Sequence, residues 1–232
     1  MHAQVGVDIA YGEKMSRVKK VALLAFATAL IAGCKTTVET EVSLSDLLTS
    51  PTKQLAGNLL VEVPACESLE DSRQPSEVLL DVQQAVPGIF SDAKYAECYR
   101  KGFNSFARFS LPIFLDKDRD GKLASDSHIN LGSNEEGLLS VGVPQKIKAK
   151  IVAAQKNSPI GAQDLKFTIK VRNDTGKDFT FSALAVFIDQ APHVFSTLTS
   201  KAGGAFVVTL SDVSAKAAVD NGGALVLLHK SE

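Results

Sequence analysis

Hydrophobic residues form one unbroken block near the start of the chain and only short segments after it. The block runs from Val21 to Ala32, carries no charge and follows a basic cluster at Arg17–Lys20. A membrane-spanning helix needs about 20 apolar residues, so this block of 12 is too short to form one. A basic start, a short apolar run and small residues at its end are typical of a secretory signal peptide.

The segment that ends this block, Leu30–Cys34 with the sequence LIAGC, resembles the lipobox of bacterial lipoproteins. The resemblance implies that residues 1–33 are removed as a signal peptide and that Cys34 is acylated on its sulfur and on its new amino group. Two or more acyl chains anchor a protein stably to a membrane. Lys35 stands where inner-membrane lipoproteins of enterobacteria carry Asp, which implies an outer-membrane protein that faces the periplasm.

Two alternatives remain open for this leader. Asp8 and Glu13 are unusual so close to a signal peptide, and they favour a translation start at Met15 instead of Met1. The apolar block could also be a buried helix of the folded protein, although such a helix would not normally begin with a basic cluster and end at Gly-Cys.

After Cys34 the apolar residues are spaced as in strands and helices. Residues 34–53 are polar, and we predict a tether there. Within residues 54–143 the spacing predicts a strand, a helix and two more strands, hence an α+β domain. These elements are expected at Leu55–Val63, Ser76–Ala85, Lys94–Phe103 and Phe106–Leu115, with Pro112 marking an edge or a bend in the last strand.

Two of the three cysteines remain once Cys34 is assigned to lipid. Cys66 and Cys98 are then an even pair in an oxidising compartment, which predicts a disulfide. The bond would close a loop of about 33 residues and so restrict the unfolded chain. Two buried free thiols are the alternative.

Beyond Pro144 the pattern becomes mainly β, and we predict a sandwich-like module over residues 144–232. A hairpin is expected from Leu165–Val171 and Phe179–Ile188, and a second one from Val194–Thr199 and Ala205–Leu210. The fold class is therefore α+β, with a small disulfide-tied α+β unit followed by a mainly antiparallel module. Further strands are expected at Lys146–Ala153 and Ala224–His229, and a helix at Ser211–Asp220.

The most specific chemical motif is the sequence DKDRDG, which begins at Asp116. Carboxylates at alternate positions followed by glycine resemble the first half of an EF-hand calcium loop. Ser127 stands at the twelfth position, where that loop has Glu, so Asp126 is a candidate replacement. The alternative is a solvated acidic turn. The candidate calcium ligands are Asp116, Asp118, Asp120, the backbone carbonyl of Lys122, and Asp126.

No catalytic motif accompanies this loop, and His128, His193 and His229 lie far apart in the sequence. The net charge of −1 and the lack of a clustered basic face argue against a nucleic-acid partner. We therefore expect a non-enzymatic, lipid-anchored envelope protein that binds a protein partner to assemble, stabilise or block an envelope complex. A calcium-dependent binding module is the alternative, and an enzyme whose site assembles only in three dimensions is a third.

Overall fold

The computed structural model describes residues 35–49, 52–117, 125–135, 137–157 and 165–230. The predicted signal peptide and Cys34 lie outside these residues, as do Asp118, Asp120 and Lys122. The described elements, in chain order, are β1 Thr36–Ser43, α1 Leu44–Thr49, β2 Lys53–Val63, α2 Glu77–Ile89, β3 Lys94–Lys101, β4 Asn104–Lys117, β5 Ile129–Ser133, β6 Gly137–Gly142, α3 Gln145–Asn157, β7 Leu165–Arg172, β8 Phe179–Ile188, β9 Ala191–Ser200, β10 Ala205–Leu210, α4 Asp212–Asp220 and β11 Ala224–His229.

Nine strands join into one closed β-barrel. Their order is β10-β7-β1-β2-β4-β5-β6-β11-β8, and pairing of β8 with β10 closes the ring. Two pairs, β1 with β7 and β4 with β5, are parallel. Strands β3 and β9 lie outside the ring, where β3 extends β4 and β9 extends β8.

Alternating apolar residues fill the core of this barrel. Strand β2 buries every second side chain from Leu55 to Val63, because successive side chains of a strand point to opposite faces. Phe181 and Phe206 stack with ring centroids 4.7 Å apart. Fully burying one large apolar side chain contributes about 1.5–3 kcal/mol. The largest fully buried side chains include Phe109, Phe167, Phe181, Leu59 and Ile113.

The predicted fold class, an α+β unit followed by a sandwich-like module, is wrong. Strands from both sides of Pro144 belong to the same sheet, since β1 pairs with β7 along its whole length, from Thr36↔Leu165 to Ser43↔Arg172. The polar segment predicted as a tether forms β1 and α1 instead. Thr36, Val38, Thr40 and Val42 form the buried face of β1, and the glutamates lie on its other face.

The predicted strand pairings also differ from the observed ones. β7 pairs with β1 and β10, not with β8, and β9 pairs with β8, not with β10. The predicted strand at Lys146–Ala153 is wrong, because this segment lies in the helix α3. Ile147 and Ile151 stand four residues apart, so one face of a helix carries both, and Ile147 is buried.

Pro112 occupies a junction inside the sheet. Strand β4 pairs with β2 along one edge. Its other edge pairs first with β3, up to Ser110, and then with β5, from Ile113 onward. A proline has no backbone N–H to donate to a sheet. Pro112 lies in the gap between the two partner strands, which explains how β4 carries a proline in the middle of a barrel.

Candidate interaction edge

The feature of the surface that stands out chemically is strand β9. Within the described part of the chain it pairs only with β8, so its outer edge presents unpaired backbone N–H and C=O groups. Most of its side chains are exposed, and Val194 and Phe195 retain 85% and 63% of their accessible surface. Phe187 on β8 is exposed as well.

This hairpin carries no charge along either strand. Phe179–Ile188 and Ala191–Ser200 contain no Asp, Glu, Lys or Arg. Hydroxyl groups instead meet across the two strands: Thr180 lies 3.1 Å from Thr199, oxygen to oxygen, and Ser182 lies 3.4 Å from Thr197. Charged side chains are a common way for proteins to block an exposed strand edge. The β9 edge lacks them.

The tip of the hairpin is fixed to the barrel by Asp189. Asp189 and Gln190 both have positive φ, 48° and 73°, as tight two-residue hairpin turns require. The backbone N–H of Asp189 donates to the carbonyl of Val207, and Oδ1 of Asp189 accepts from the N–H of Val207 at 2.8 Å. These bonds attach the turn to β10, so the hairpin that carries the exposed edge is fixed to the barrel.

The open end of the hairpin is closed by a polar cluster. Asn173 is fully buried, and its Nδ2 donates to the carbonyls of Lys177, Ser200 and Lys201 at 2.9–3.1 Å. Oδ2 of Asp178 accepts from Lys201 Nζ at 2.7 Å, and Oδ1 accepts from the N–H of Ala202 at 3.0 Å. The hydrogen bond from Lys201 is the main reason that the pKa of Asp178 lies below its usual value.

An unpaired, neutral strand edge of this kind can take up one more strand. Backbone hydrogen bonds to an added strand supply affinity, and alternate side chains supply specificity. The sequence analysis identified the strand but not its exposed edge. The signal that could have found it is the lack of charge from Phe179 to Ser200, which Asp189 alone interrupts.

The predicted disulfide between Cys66 and Cys98 is confirmed, with the two Cα atoms 5.6 Å apart. Cys66 lies in the loop that follows β2, and Cys98 lies in β3. The bond therefore attaches this loop to the strand that forms the other edge of the sheet.

The candidate calcium ligands within the described residues lie in two separate polar clusters. Asp116, near the end of β4, accepts a hydrogen bond from Thr52 Oγ1 at 2.7 Å. Asp126 pairs with Lys146 and accepts from Ser127 Oγ at 2.7 Å, and the bond from Lys146 is the main cause that lowers its pKa. The described residues contain no group of three or more His, Cys, Asp or Glu suited to a metal. Calcium binding stays a prediction, which calcium-dependent melting of the wild type and of Asp118→Ala would test.

The structure also brings together a serine, a histidine and an aspartate. Ser125 Oγ lies 2.8 Å from Nδ1 of His128, whose Nε2 lies 3.2 Å from Oδ2 of Asp92. In serine hydrolases the aspartate is buried against the imidazole, whereas the Asp92 side chain is 74% exposed. The serine oxygen also accepts the N–H of Ser127. We therefore interpret these bonds as joining the turn after α2 to the start of β5.

Three further observations concern His229, His193 and the helices. Nε2 of His229 lies 3.1 Å from the carbonyl oxygen of Asn134. His193 lies on β9 opposite Val186. Across the described residues, no helix is both long enough and apolar enough to span a membrane.

Fold and site together define the protein as a closed β-barrel with an uncharged strand edge. A model of the family described as "Domain of unknown function (DUF7424)" matches residues 36–232, and the chain belongs to this family. No curated protein and no solved structure matches the chain.

Proposed function

We propose that this protein is a lipid-anchored envelope protein that binds a protein partner through the outer edge of β9. The partner would contribute an extended segment that pairs with β9 and extends the sheet by one strand. The observation that carries the proposal is the neutral, exposed edge of β9, with Val194 and Phe195 open to contact. Binding there would serve to assemble, stabilise or block an envelope complex.

The start of the barrel supports the anchored arrangement. Strand β1 begins at Thr36, two positions after the cysteine of the lipobox-like segment. Two extended residues span at most about 7 Å. Acyl chains on Cys34 would thus hold the barrel directly at the membrane surface, where a strand from a neighbouring envelope protein can reach β9.

Photo-crosslinking in intact bacterial cells tests the binding edge. The full chain carries p-benzoylphenylalanine in place of Phe195 on β9, or in place of Tyr95 on β3 as the matched control. Both are exposed aromatic residues on edge strands. We expect an adduct with one envelope protein from position 195 and none from position 95.

Three other outcomes would contradict the proposed partner. They are equal adducts from both positions, no adduct from position 195, and an adduct with a second copy of this chain. Metabolic labelling with an alkyne fatty acid tests the anchor separately. The wild type is expected to take up the label and to fractionate with membranes, and Cys34→Ser is expected to do neither.

A further inference from the structure

Two large apolar side chains lie fully open to solvent near the place where the described chain begins. Leu69 and Phe103 are 101% and 105% exposed, the two highest values among the large hydrophobic residues. Leu69 lies in the loop between β2 and α2, and Phe103 lies in the turn that joins β3 to β4. Exposed apolar residues that lie together mark a contact with another molecule or with a membrane, whereas single ones are common on protein surfaces.

The strand register places the Phe103 turn at the same end of the sheet as the start of β1. Thr36 pairs with Val61 of β2, and Val61 pairs with Ala107 of β4. Phe103 stands four positions before Ala107, so the turn extends about 13 Å beyond the row of Thr36 at 3.3 Å per residue. Two strand spacings of about 4.8 Å separate β1 from β4. The turn that carries Phe103 therefore protrudes from the same end of the sheet at which β1 begins.

The disulfide holds the Leu69 loop beside this turn. Cys66, three residues before Leu69, is bonded to Cys98, three residues before Lys101 at the end of β3. The backbone of the loop is braced further, because the N–H of Ser68 donates to the carbonyl of Gln74. The two exposed apolar residues thus belong to segments that are covalently tied to each other.

Exposed basic side chains lie near Phe103, whereas Leu69 stands between the exposed acids Glu67 and Glu70. Lys35, Arg100 and Lys101 are exposed, and they form no ion pair with the other described residues. An apolar tip flanked by Lys and Arg suits a membrane surface, because the tip enters the interface while the cations meet anionic headgroups.

We infer that this end of the barrel rests on the phospholipid bilayer that would hold the acyl chains of Cys34. We call it the membrane-facing surface and define it by Leu69, Phe103, Lys35, Arg100 and Lys101. The inference depends on the proposed anchor, because the chain outside the described residues joins the barrel at Lys35, next to Cys34. With one residue between the acylated cysteine and β1, the end that carries Phe103 faces the lipid.

Tryptophan fluorescence tests the orientation, since the chain contains no Trp of its own. Phe103→Trp puts a single indole at the membrane-facing surface. Leu48→Trp is the matched control, because Leu48 is an exposed apolar residue in α1, which begins where β1 ends. Each full-length variant is purified from bacterial membranes and reconstituted into vesicles of phosphatidylethanolamine and phosphatidylglycerol with brominated acyl chains.

We expect the Phe103→Trp emission to shift to the blue and to be quenched by the brominated lipid, and the Leu48→Trp emission to do neither. If Phe103→Trp is acylated and vesicle-bound but unquenched, the membrane-facing surface is wrong while the anchor stands. Equal quenching of both variants also contradicts it, since the barrel would have no preferred orientation. If mass spectrometry finds no acyl group on Cys34, the anchor and this inference both fail.

Discussion

Strands β3 and β9 each pair with one strand of the barrel and leave an outer edge, and these two edges differ in charge and in regularity. β3 has eight residues, four of them charged, and its register with β4 shifts between Tyr95 and Glu97. β9 has ten residues without a charge, and its register with β8 runs without a shift from Ser200 to Ala191. Charges and bulges are known protections of sheet edges. Pro192 is the only comparable protection on β9.

The two edges are also held by different means. β3 is tied by the Cys66–Cys98 bond, whereas the β8–β9 hairpin depends on hydrogen bonds of Asp189 at its tip and of Asn173 and Asp178 at its open end. The comparison suggests that the protein protects the outer edge of β3 and leaves the outer edge of β9 free to pair with another strand. The following predictions test whether each edge behaves in this way.

The largest effect is expected from loss of the disulfide. Cys66→Ala combined with Cys98→Ala removes a link that closes a loop of about 33 residues, so the free energy of unfolding should fall by roughly 3–4 kcal/mol. Urea unfolding followed by circular dichroism measures the change. The wild type in reductant should lose a similar amount. A change below about 1 kcal/mol would contradict the role given to this bond, because native disulfides in small domains typically contribute 2–5 kcal/mol.

The next largest effect concerns the open end of the β8–β9 hairpin. Asn173→Ala leaves the buried carbonyl of Ser200 and the partly buried carbonyl of Lys201 without their side-chain donor, which should cost about 2–3 kcal/mol. Urea midpoints measure the loss. Asn58→Ala, at a half-buried amide on β2, serves as the control and should cost much less. Equal losses in the two variants would show that Asn173 has no special part in holding the hairpin.

A smaller, pH-dependent effect is expected from Asp178. Its pKa is lowered in the folded protein, chiefly by the bond from Lys201, so its stabilisation is present above its unfolded pKa of about 3.9. This stabilisation is lost as the pH falls through the lower, folded-state pKa. Wild type and Asp178→Asn should therefore differ in urea midpoint at pH 7 and converge in strongly acidic buffer. A constant difference across this range would contradict the assignment.

The smallest effect on stability, with a large effect on binding, is expected from Val194→Lys. Val194 is 85% exposed, so the free energy of unfolding should change by no more than about 0.5 kcal/mol. A charge on the edge should nevertheless abolish the crosslink from position 195, because it opposes the addition of a strand. Ala96→Lys on the already charged β3 is the control and should leave the crosslink intact. Crosslinking that persists in Val194→Lys would argue against strand addition.

Local signals in the sequence identified many elements of this fold. The strands at Leu55–Val63, Leu165–Val171 and Phe179–Ile188 were recognisable because their apolar residues alternate, and β2, β7 and β8 confirm them. The helix over Ser211–Asp220 was recognisable from its cap, and the Ser211 side chain does accept from the N–H of Ser214. The disulfide followed from the number of cysteines. These signals act over a few residues or depend on composition, so one sequence suffices to read them.

The arrangement of the strands was not recognisable, because pairing joins segments far apart in the chain. Nothing local distinguishes β1 as the parallel partner of β7, and the alternation in Lys146–Ala153 fits a strand as well as it fits the helix α3. The same holds for the candidate site. The neutral composition of β9 is visible in the sequence, but its position at the edge follows only from the closed ring.

The parallel pairing of β1 and β7 has a consequence for the folding of a growing chain. Glu41 and Lys170 form an ion pair across a separation of 129 residues. At 5–20 residues per second, synthesis of that interval takes about 6–26 s. One edge of β1 therefore stays open until β7 follows it into the compartment where the chain folds, and the barrel cannot close until most of the chain is available there. Such non-local topologies fold slowly and are exposed to aggregation meanwhile, so we expect this protein to depend on chaperones that shield its first strands.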